Sequence, residues 1–186
     1  MVRALALALA ALALFPTLAS AHGPSRQKVT ETVEINAPAD KVWAVIGNFQ
    51  DMSWHPAVAK HEGSGGNDAN ATRTLTLTSG GTIAEKLISN DPAKKIYKYE
   101  ITHVDPKVLP VNNYSSSLSV KGEGDKSTVE WKGAFYRGFM NNDPPPEMND
   151  EASVNAVKCV YRGGLDALKK KHETGGRRRV RLCIRF

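Results

Sequence analysis

The stretch Thr72-Arg-Thr-Leu-Thr-Leu-Thr-Ser-Gly-Gly-Thr-Ile-Ala-Glu-Lys-Leu87 decides the fold of this 186-residue chain. Polar and apolar residues alternate on both sides of Gly80-Gly81, which is typical of two antiparallel strands joined by a tight turn. The alternation places Arg73 and Glu85 on the face that carries the leucines and Ile83, which a core would cover. An unpaired buried charge is very costly, so these side chains are expected to pair with each other or to meet a polar ligand.

Five further strand patterns flank this hairpin. Runs rich in β-branched and aromatic residues end at glycine, proline, asparagine or aspartate. The seven predicted strands are 29–35, 57–62, 71–78, 82–90, 95–103, 112–121 and 127–137. The short connections between the last six predict an antiparallel meander.

Two helices complete the predicted architecture. A short amphipathic helix begins near Pro38, and a long helix begins at Asn149 or Asp150 and runs to about Lys171. The long helix carries an apolar stripe that includes Val157 and Tyr161. These elements predict an α+β fold in which a curved antiparallel sheet of about seven strands is closed by the C-terminal helix and encloses a cavity.

Gly163-Gly164 lies inside the predicted long helix, where two glycines are unfavourable and need a structural explanation. Each glycine costs about 1 kcal/mol relative to alanine in a helix interior. Two explanations stand: close approach of the helix to the sheet, which we favour, and room for a ligand.

The ends of the chain differ from its middle in composition. Arg3, the Ala/Leu run 4–14 and the small residues 19–21 are typical of a cleaved secretory signal, since the apolar run is too short to span a membrane. We therefore expect a signal peptide over 1–21, a lead over 22–27, a domain over 28–174 and a basic disordered tail over 175–186. The expected location is the bacterial periplasm, and no membrane span is predicted.

The net charge of +6 does not indicate a nucleic-acid-binding domain. Residues 22–174 hold 19 of the 25 basic residues and all 19 acidic residues, so their charges cancel. The excess lies at Arg3 and in the arginines of the tail. Because the predicted domain is neutral overall, we expect no nucleic-acid partner.

Cysteine and histidine spacing predicts neither a metal site nor a cofactor. Cys159 and Cys183 permit one disulfide in an oxidising compartment, and the alternative for Cys159 is a small buried apolar residue. The five histidines lack metal-ligand spacing, and no phosphate loop or dinucleotide fingerprint occurs.

Six motifs, in this order and spacing, carry a resemblance to a known family. They are Pro38-Ala-Asp-Lys-Val-Trp-Ala-Val-Ile-Gly-Asn-Phe49, Trp54-His-Pro56, Arg73-Thr-Leu-Thr-Leu77, Glu85-Lys-Leu87, Leu109-Pro-Val111 and Trp131-Lys-Gly-Ala-Phe135. Residues 28 to about 171 resemble the polyketide cyclase/dehydrase branch of the START-like (SRPBCC) superfamily. The resemblance implies a helix-grip (START/Bet v 1-like) fold with a deep hydrophobic cavity.

A signal peptide on such a domain adds a narrower resemblance. Export and size make the chain similar to the MxaD type of periplasmic accessory protein in bacterial methanol oxidation. That resemblance implies methanol dehydrogenase and its cytochrome c as partners. The arginine-rich end departs from the family pattern.

Eight residues are predicted to contact a small apolar or aromatic ligand: Trp54, His55, Arg73, Glu85, Tyr99, Tyr114, Trp131 and Phe135. Three of them, His55, Glu85 and Arg73, are candidates for catalysis, with Asp51 placed to orient His55. No nucleophile lies beside His55 in the sequence, and core packing explains the aromatic residues equally well. Three functions remain open: a non-enzymatic accessory or binding protein, a cyclase- or dehydratase-like enzyme, and a lipid carrier.

Overall fold

The computed structural model describes residues 23–173, which form one sheet and two α-helices. The elements in chain order are β1 (Gln27–Ile35), α1 (Ala39–Ile46), β2 (Val58–Ser64), β3 (Thr72–Leu77), β4 (Thr82–Asp91), β5 (Ile96–Val104), β6 (Val111–Glu123), β7 (Lys126–Arg137) and α2 (Asp150–Glu173). A 3-10 turn at Pro146–Met148, which the sequence did not predict, precedes α2.

The seven strands form a single antiparallel sheet. Their order is β1-β7-β6-β5-β4-β3-β2, so the meander β2–β7 is intact and β1 returns to pair with β7. The predicted fold class is confirmed: a curved seven-stranded sheet packs against a C-terminal helix. The predicted hairpin is also confirmed, since β3 and β4 pair in a register that sets Arg73 opposite Glu85.

The long helix α2 is fixed at its first turn. Asn149 caps it, because its Oδ1 accepts a hydrogen bond from the Ala152 N–H at 2.8 Å. The buried hydroxyl of Ser153 donates to the carbonyl of Pro110 at 2.6 Å and ties the helix to the β5–β6 connection. From there α2 packs against β1 and β7 and buries Val157, Tyr161, Leu165 and Leu168.

The two glycines of α2 have different surroundings. A Cβ at Gly164 would lie 2.5 Å from Cδ2 of His55 and 3.0 Å from a ring carbon of Trp131, whereas nothing lies within 4 Å at Gly163. Close approach to the aromatic layer therefore explains Gly164, as expected, and does not explain Gly163.

Candidate functional site

A cavity of about 250 Å³ lies between the sheet and α2. Its wall is mainly apolar and comes from the loop before β2, strands β2 to β7, the β5–β6 connection and α2. The apolar members include Leu75, Ile83, Ile101, Val108 and Val160, and the polar members are His55, Glu85, Tyr99, Tyr114 and Asn155. An apolar cavity of about 150 Å³ already holds benzene, so this one accommodates a single substituted ring or a somewhat larger molecule.

The ion pair Arg73–Glu85 is buried beside this cavity. Arg73 Nε donates to Glu85 Oε2 at 2.6 Å, and the two residues are only 2% and 5% exposed. Arg73 Nη1 donates to the carbonyl oxygen of Phe49 at 2.5 Å, and the guanidinium lies 4.2 Å from the centre of the Phe49 ring. Arg73 is held from three sides and does not itself line the cavity.

Glu85 differs from Arg73 in having an unused polar atom. Its Oε2 accepts the bond from Arg73, but within residues 23–173 no hydrogen bond reaches its Oε1. Oε1 is not among the fully enclosed side-chain oxygens and nitrogens that lack a partner, so it keeps some accessible surface, and Glu85 is part of the cavity wall. Oε1 is therefore an acceptor that a bound molecule can reach.

Burial and charge oppose each other in this pair. Burial raises the pKa of Glu85, and the adjacent guanidinium of Arg73 opposes that shift. Burial alone would lower the pKa of Arg73, yet the negative charge of Glu85 holds it above its ordinary value. Since arginine keeps its proton, Glu85 supplies the counter-charge as a carboxylate at neutral pH.

Four hydroxyls form a second buried polar cluster, which we call the hydroxyl chain: Tyr99, Tyr114, Tyr161 and Ser116. Neighbouring oxygens are 3.4 Å apart for Tyr99–Tyr114, 2.5 Å for Tyr114–Tyr161 and 3.0 Å for Tyr161–Ser116. Ser116 donates to the backbone carbonyl of Lys132 at 2.6 Å.

The carbonyl at the end of the hydroxyl chain fixes its direction. Because Ser116 gives its only hydrogen to Lys132, its oxygen accepts from Tyr161, whose oxygen in turn accepts from Tyr114. The indole N–H of Trp131 adds bonds to the oxygens of Tyr99, at 3.0 Å, and Ser116, at 3.1 Å. The hydrogens of Tyr114, Tyr161 and Ser116 thus run in one direction and end at the Lys132 carbonyl of β7.

The tyrosines of the hydroxyl chain are protonated. Burial raises the pKa of Tyr161, Tyr99 and Tyr114, the last two well above the ordinary value. Each phenol therefore keeps its single hydrogen at neutral pH, which the direction of the chain requires.

His55 has no free ring nitrogen. Its Nδ1 accepts from the Ala57 N–H at 3.2 Å, so Nε2 carries the hydrogen and donates to the Val160 carbonyl at 3.0 Å. Burial lowers the pKa of His55 to about 4, and the charge of Arg73 adds to that shift. The neutral ring joins the loop before β2 to α2, and the lone pair of Nδ1 that a general base needs is already engaged by the Ala57 N–H.

The expected support of His55 by Asp51 is wrong. Asp51 Oδ1 lies 3.5 Å from Nε2 of His61, and His55 uses backbone groups instead. Successive turns in this loop, closed by the hydrogen bonds from Asp51 N to Asn48 O and from His55 N to Met52 O, separate the two side chains although they are close in sequence.

Five of the eight predicted ligand contacts line the cavity: His55, Glu85, Tyr99, Tyr114 and Trp131. The other three, Trp54, Arg73 and Phe135, are buried behind its wall, where the ring centre of Trp54 lies 5.8 Å from that of Trp131 and Phe135 stacks on Tyr114. These three side chains pack against residues of the wall, and the predicted direct contact with a ligand is wrong for them.

Tyr161 and Ser116 were missed at the sequence level. Tyr161 stacks on Trp131 with ring centres 4.5 Å apart and joins the hydroxyl chain. A tyrosine in an apolar helix stripe signals that a partner for its hydroxyl lies opposite. Ser116 has no such signal, because it sits in the run of serines 115–117 and only the sheet register selects the inward one.

The predictions on the cysteines, metal binding, membrane spans and chain ends depend partly on residues outside 23–173. Cys159 is half-buried in the cavity wall, while Cys183 lies outside the described residues, so the structure does not test the disulfide that the sequence permits. Within residues 23–173 no three potential metal ligands cluster together. Neither helix of that region is long and apolar enough to cross a bilayer. The predicted signal peptide and basic tail also lie outside it.

Residues 26–173 match the family described as polyketide cyclase / dehydrase and lipid transport. The protein XoxI from Bacillus cereus has 30% sequence identity and a TM-score of 0.67, and the match covers 79% of this chain and 96% of that one. None of the curated proteins matches the chain.

Two enzymes share the fold at lower identity. The Zhui aromatase/cyclase from Streptomyces sp. R1128 is 16% identical with a TM-score of 0.62, over 80% of this chain and 94% of that one. Norcoclaurine synthase from Thalictrum flavum is 19% identical with a TM-score of 0.57, over 80% of this chain and 87% of that one. At these identities the similarity concerns the architecture.

Proposed function

Because the chain belongs to the polyketide cyclase/dehydrase and lipid transport family, we propose that it binds a small, mainly apolar molecule in the cavity under α2. The observation that carries this proposal is the cavity itself, enclosed by apolar side chains with a few polar groups on its wall. At about 250 Å³ it lies below the usual 300–1,000 Å³ of sites for drug-sized ligands. A compact ring therefore suits it better than a long-chain lipid.

Filling the cavity tests this function. Ala156 lines the cavity from α2, and Lys158 is exposed on the same helix. We expect Ala156→Trp to abolish binding of p-cresol and p-xylene in calorimetric titrations and Lys158→Trp to leave it unchanged. Binding that survives in a folded Ala156→Trp protein, or that is absent from the unmodified protein, contradicts the proposal.

The proposed setting is the periplasm, where the protein would act without turnover as an accessory factor in methanol oxidation. The support is the signal-like segment 1–21 together with the resemblance to accessory proteins of the MxaD type. Its proposed partners are methanol dehydrogenase and the cytochrome c that accepts its electrons.

Affinity capture from periplasmic extract of the source organism tests this setting. Recovery of a quinoprotein dehydrogenase or its cytochrome by the unmodified protein is the expected result. Absence of the mature protein from the periplasmic fraction would contradict the location, and capture of neither partner would contradict the accessory role.

The reachable carboxylate of Glu85 favours a second candidate, a cyclase- or dehydratase-like enzyme. A carboxylate whose pKa is raised by burial, with one oxygen open to the cavity, meets the basic requirements of a general base. In that case Glu85→Gln abolishes turnover of a bound substrate while ligand binding and the fold persist. Retained turnover in that variant would exclude Glu85 as the base.

A further inference from the structure

At the Glu85 end of the cavity wall the structure offers an acceptor, and the donors of the neighbouring polar side chains are engaged elsewhere. The amide of Asn155 also belongs to the wall, but it lies on an exposed position of α2. Glu85 Oε1 receives no hydrogen bond within residues 23–173, although its partner oxygen is bonded to Arg73. The hydrogens of Tyr114 and Tyr161 are committed along the hydroxyl chain, which ends at the Lys132 carbonyl. Tyr99 is the first hydroxyl of that chain and has its long 3.4 Å contact with Tyr114.

Two further polar groups of the wall leave this balance unchanged. His55 donates its ring hydrogen to the Val160 carbonyl, and the indole hydrogen of Trp131 is shared between the oxygens of Tyr99 and Ser116. A ligand acceptor placed against the Glu85 end of the wall would thus face a carboxylate and find no free donor on that residue. A ligand donor placed there would give Oε1 the hydrogen bond that it lacks.

The charge of the ion pair restricts the ligand further. Arg73 and Glu85 are both buried and cancel each other, and His55 is uncharged at neutral pH. A charged ligand would therefore bring an unbalanced charge into an apolar enclosure, at a high cost. An anion would also be repelled by the open oxygen of Glu85.

We propose that the cavity selects uncharged, compact ring compounds carrying a hydroxyl or N–H group, and that Glu85 Oε1 accepts the hydrogen bond from that group. This inference rests on the proposed function, because it names the ligand class of the same cavity. Glu85 is the specificity-determining residue, and Arg73 is a positioning residue that holds the carboxylate and keeps it ionised.

Three probes of nearly equal shape test the selection by calorimetric titration. These are p-cresol, which donates a hydrogen bond, p-tolunitrile, which only accepts one, and p-xylene, which does neither. A cavity without a polar group favours p-xylene, because the hydroxyl of p-cresol would lose its water without replacement. We expect the unmodified protein to bind p-cresol about tenfold more tightly than p-xylene, the effect of one charge-assisted hydrogen bond.

Glu85→Gln replaces the acceptor that faces the cavity, Oε1, with a donor, the side-chain amide N–H. Arg73 Nε still requires an acceptor, so the amide oxygen turns toward it and the amide nitrogen turns toward the cavity. The variant should prefer p-tolunitrile to p-cresol. The double variant Arg73→Met/Glu85→Leu removes the charges together, so no unpaired ion stays buried, and it should prefer p-xylene.

Val108→Ala serves as the matched control, since it changes an apolar member of the wall. It should alter the affinity for all three probes by the same factor. Preference of the unmodified protein for p-xylene, or a p-cresol preference that persists in the double variant, overturns the inference while the cavity still binds. Failure of all three probes to bind overturns the proposed function and this inference with it.

Discussion

The ion pair and the hydroxyl chain are two buried polar clusters beside one cavity, and they are built in opposite ways. The ion pair joins neighbours on one hairpin, 12 residues apart, through opposite charges. The hydroxyl chain joins neutral groups from β5, β6 and α2 and ends on a carbonyl of β7. The ion pair leaves one acceptor, Glu85 Oε1, without a hydrogen bond, whereas the hydroxyl chain uses the hydrogens of Tyr114, Tyr161 and Ser116 for bonds within the protein. A buried site can thus be fixed tightly and still keep one group available for a ligand.

Breaking the ion pair on one side should have the largest effect. Glu85→Leu leaves the guanidinium of Arg73 buried without its counter-charge, which costs roughly 3–5 kcal/mol in the free energy of unfolding. Arg73→Met/Glu85→Leu should recover most of that loss, because apolar side chains replace both charges. Urea denaturation of the three proteins measures the difference, and equal destabilisation of both variants would contradict it.

A pH series should show the next largest effect, through His55, which lies in the cavity wall together with Glu85, Tyr99 and Tyr114. Its pKa of about 4 in the folded protein lies below the ordinary 6.5 of the unfolded chain, so the unfolded chain binds more protons between these values. The stability from this residue is full above pH 6.5 and falls by about 3 kcal/mol as the pH drops to 4.

The comparison of unmodified protein with His55→Gln isolates this contribution. The raised pKa of Glu85 changes stability in the opposite direction and is common to both proteins, so it cancels in the difference. His103→Gln, at an exposed position of β5, is the control and should keep the unmodified slope. An unchanged slope in His55→Gln would show that the ring is not buried as a neutral group.

The glycines of α2 test how closely the hydroxyl-chain side is packed. Gly164→Ala should cost about 2 kcal/mol, because its Cβ would overlap the ring of His55, which is held at both nitrogens, and touch Trp131. Gly163→Ala, beside open space, should stabilise the helix by about 0.5–1 kcal/mol. Thermal and urea unfolding of the two single variants measure this contrast, and equal effects would contradict the packing.

Removing one hydroxyl from the chain should have the smallest effect. Tyr161→Phe leaves Tyr114 without its acceptor, and the expected cost is about 1–2 kcal/mol. Tyr136→Phe removes a hydroxyl from the outer face of β7 and should be nearly neutral. If the two variants have the same stability in urea, the hydroxyl chain contributes nothing measurable.

The elements of the fold followed from local patterns. Alternation between Thr72 and Leu87 set the β3–β4 hairpin, and its register brought Arg73 opposite Glu85. Helical spacing and a capping asparagine set α2 to within two residues of its C-terminal end. Such features depend on neighbours one to twelve residues apart, which a single sequence displays directly.

The roles of the aromatic residues did not follow from local patterns. Tyr99 and Trp131 were expected to contact a ligand and do line the cavity, while Phe135, on the same strand face as Trp131, lies behind the wall. Both positions are apolar and face inward in the sequence pattern. Which of them meets the cavity depends on the curvature of the sheet, which alternation does not encode.

The sequence by itself determined the strand and helix order, the family resemblance and the inward placement of Arg73 and Glu85. Strand and helix order and this placement follow from periodicity, which is a local property. Only the tertiary structure decided the direction of the hydroxyl chain, the engagement of both nitrogens of His55 and the open oxygen of Glu85. The first two depend on where α2 crosses the sheet, which brings Val160 and Tyr161 onto groups 45 to 105 residues away. Hydrogen-bond directions across such distances follow from packing, since each donor has one hydrogen and the nearest acceptor is set by the fold.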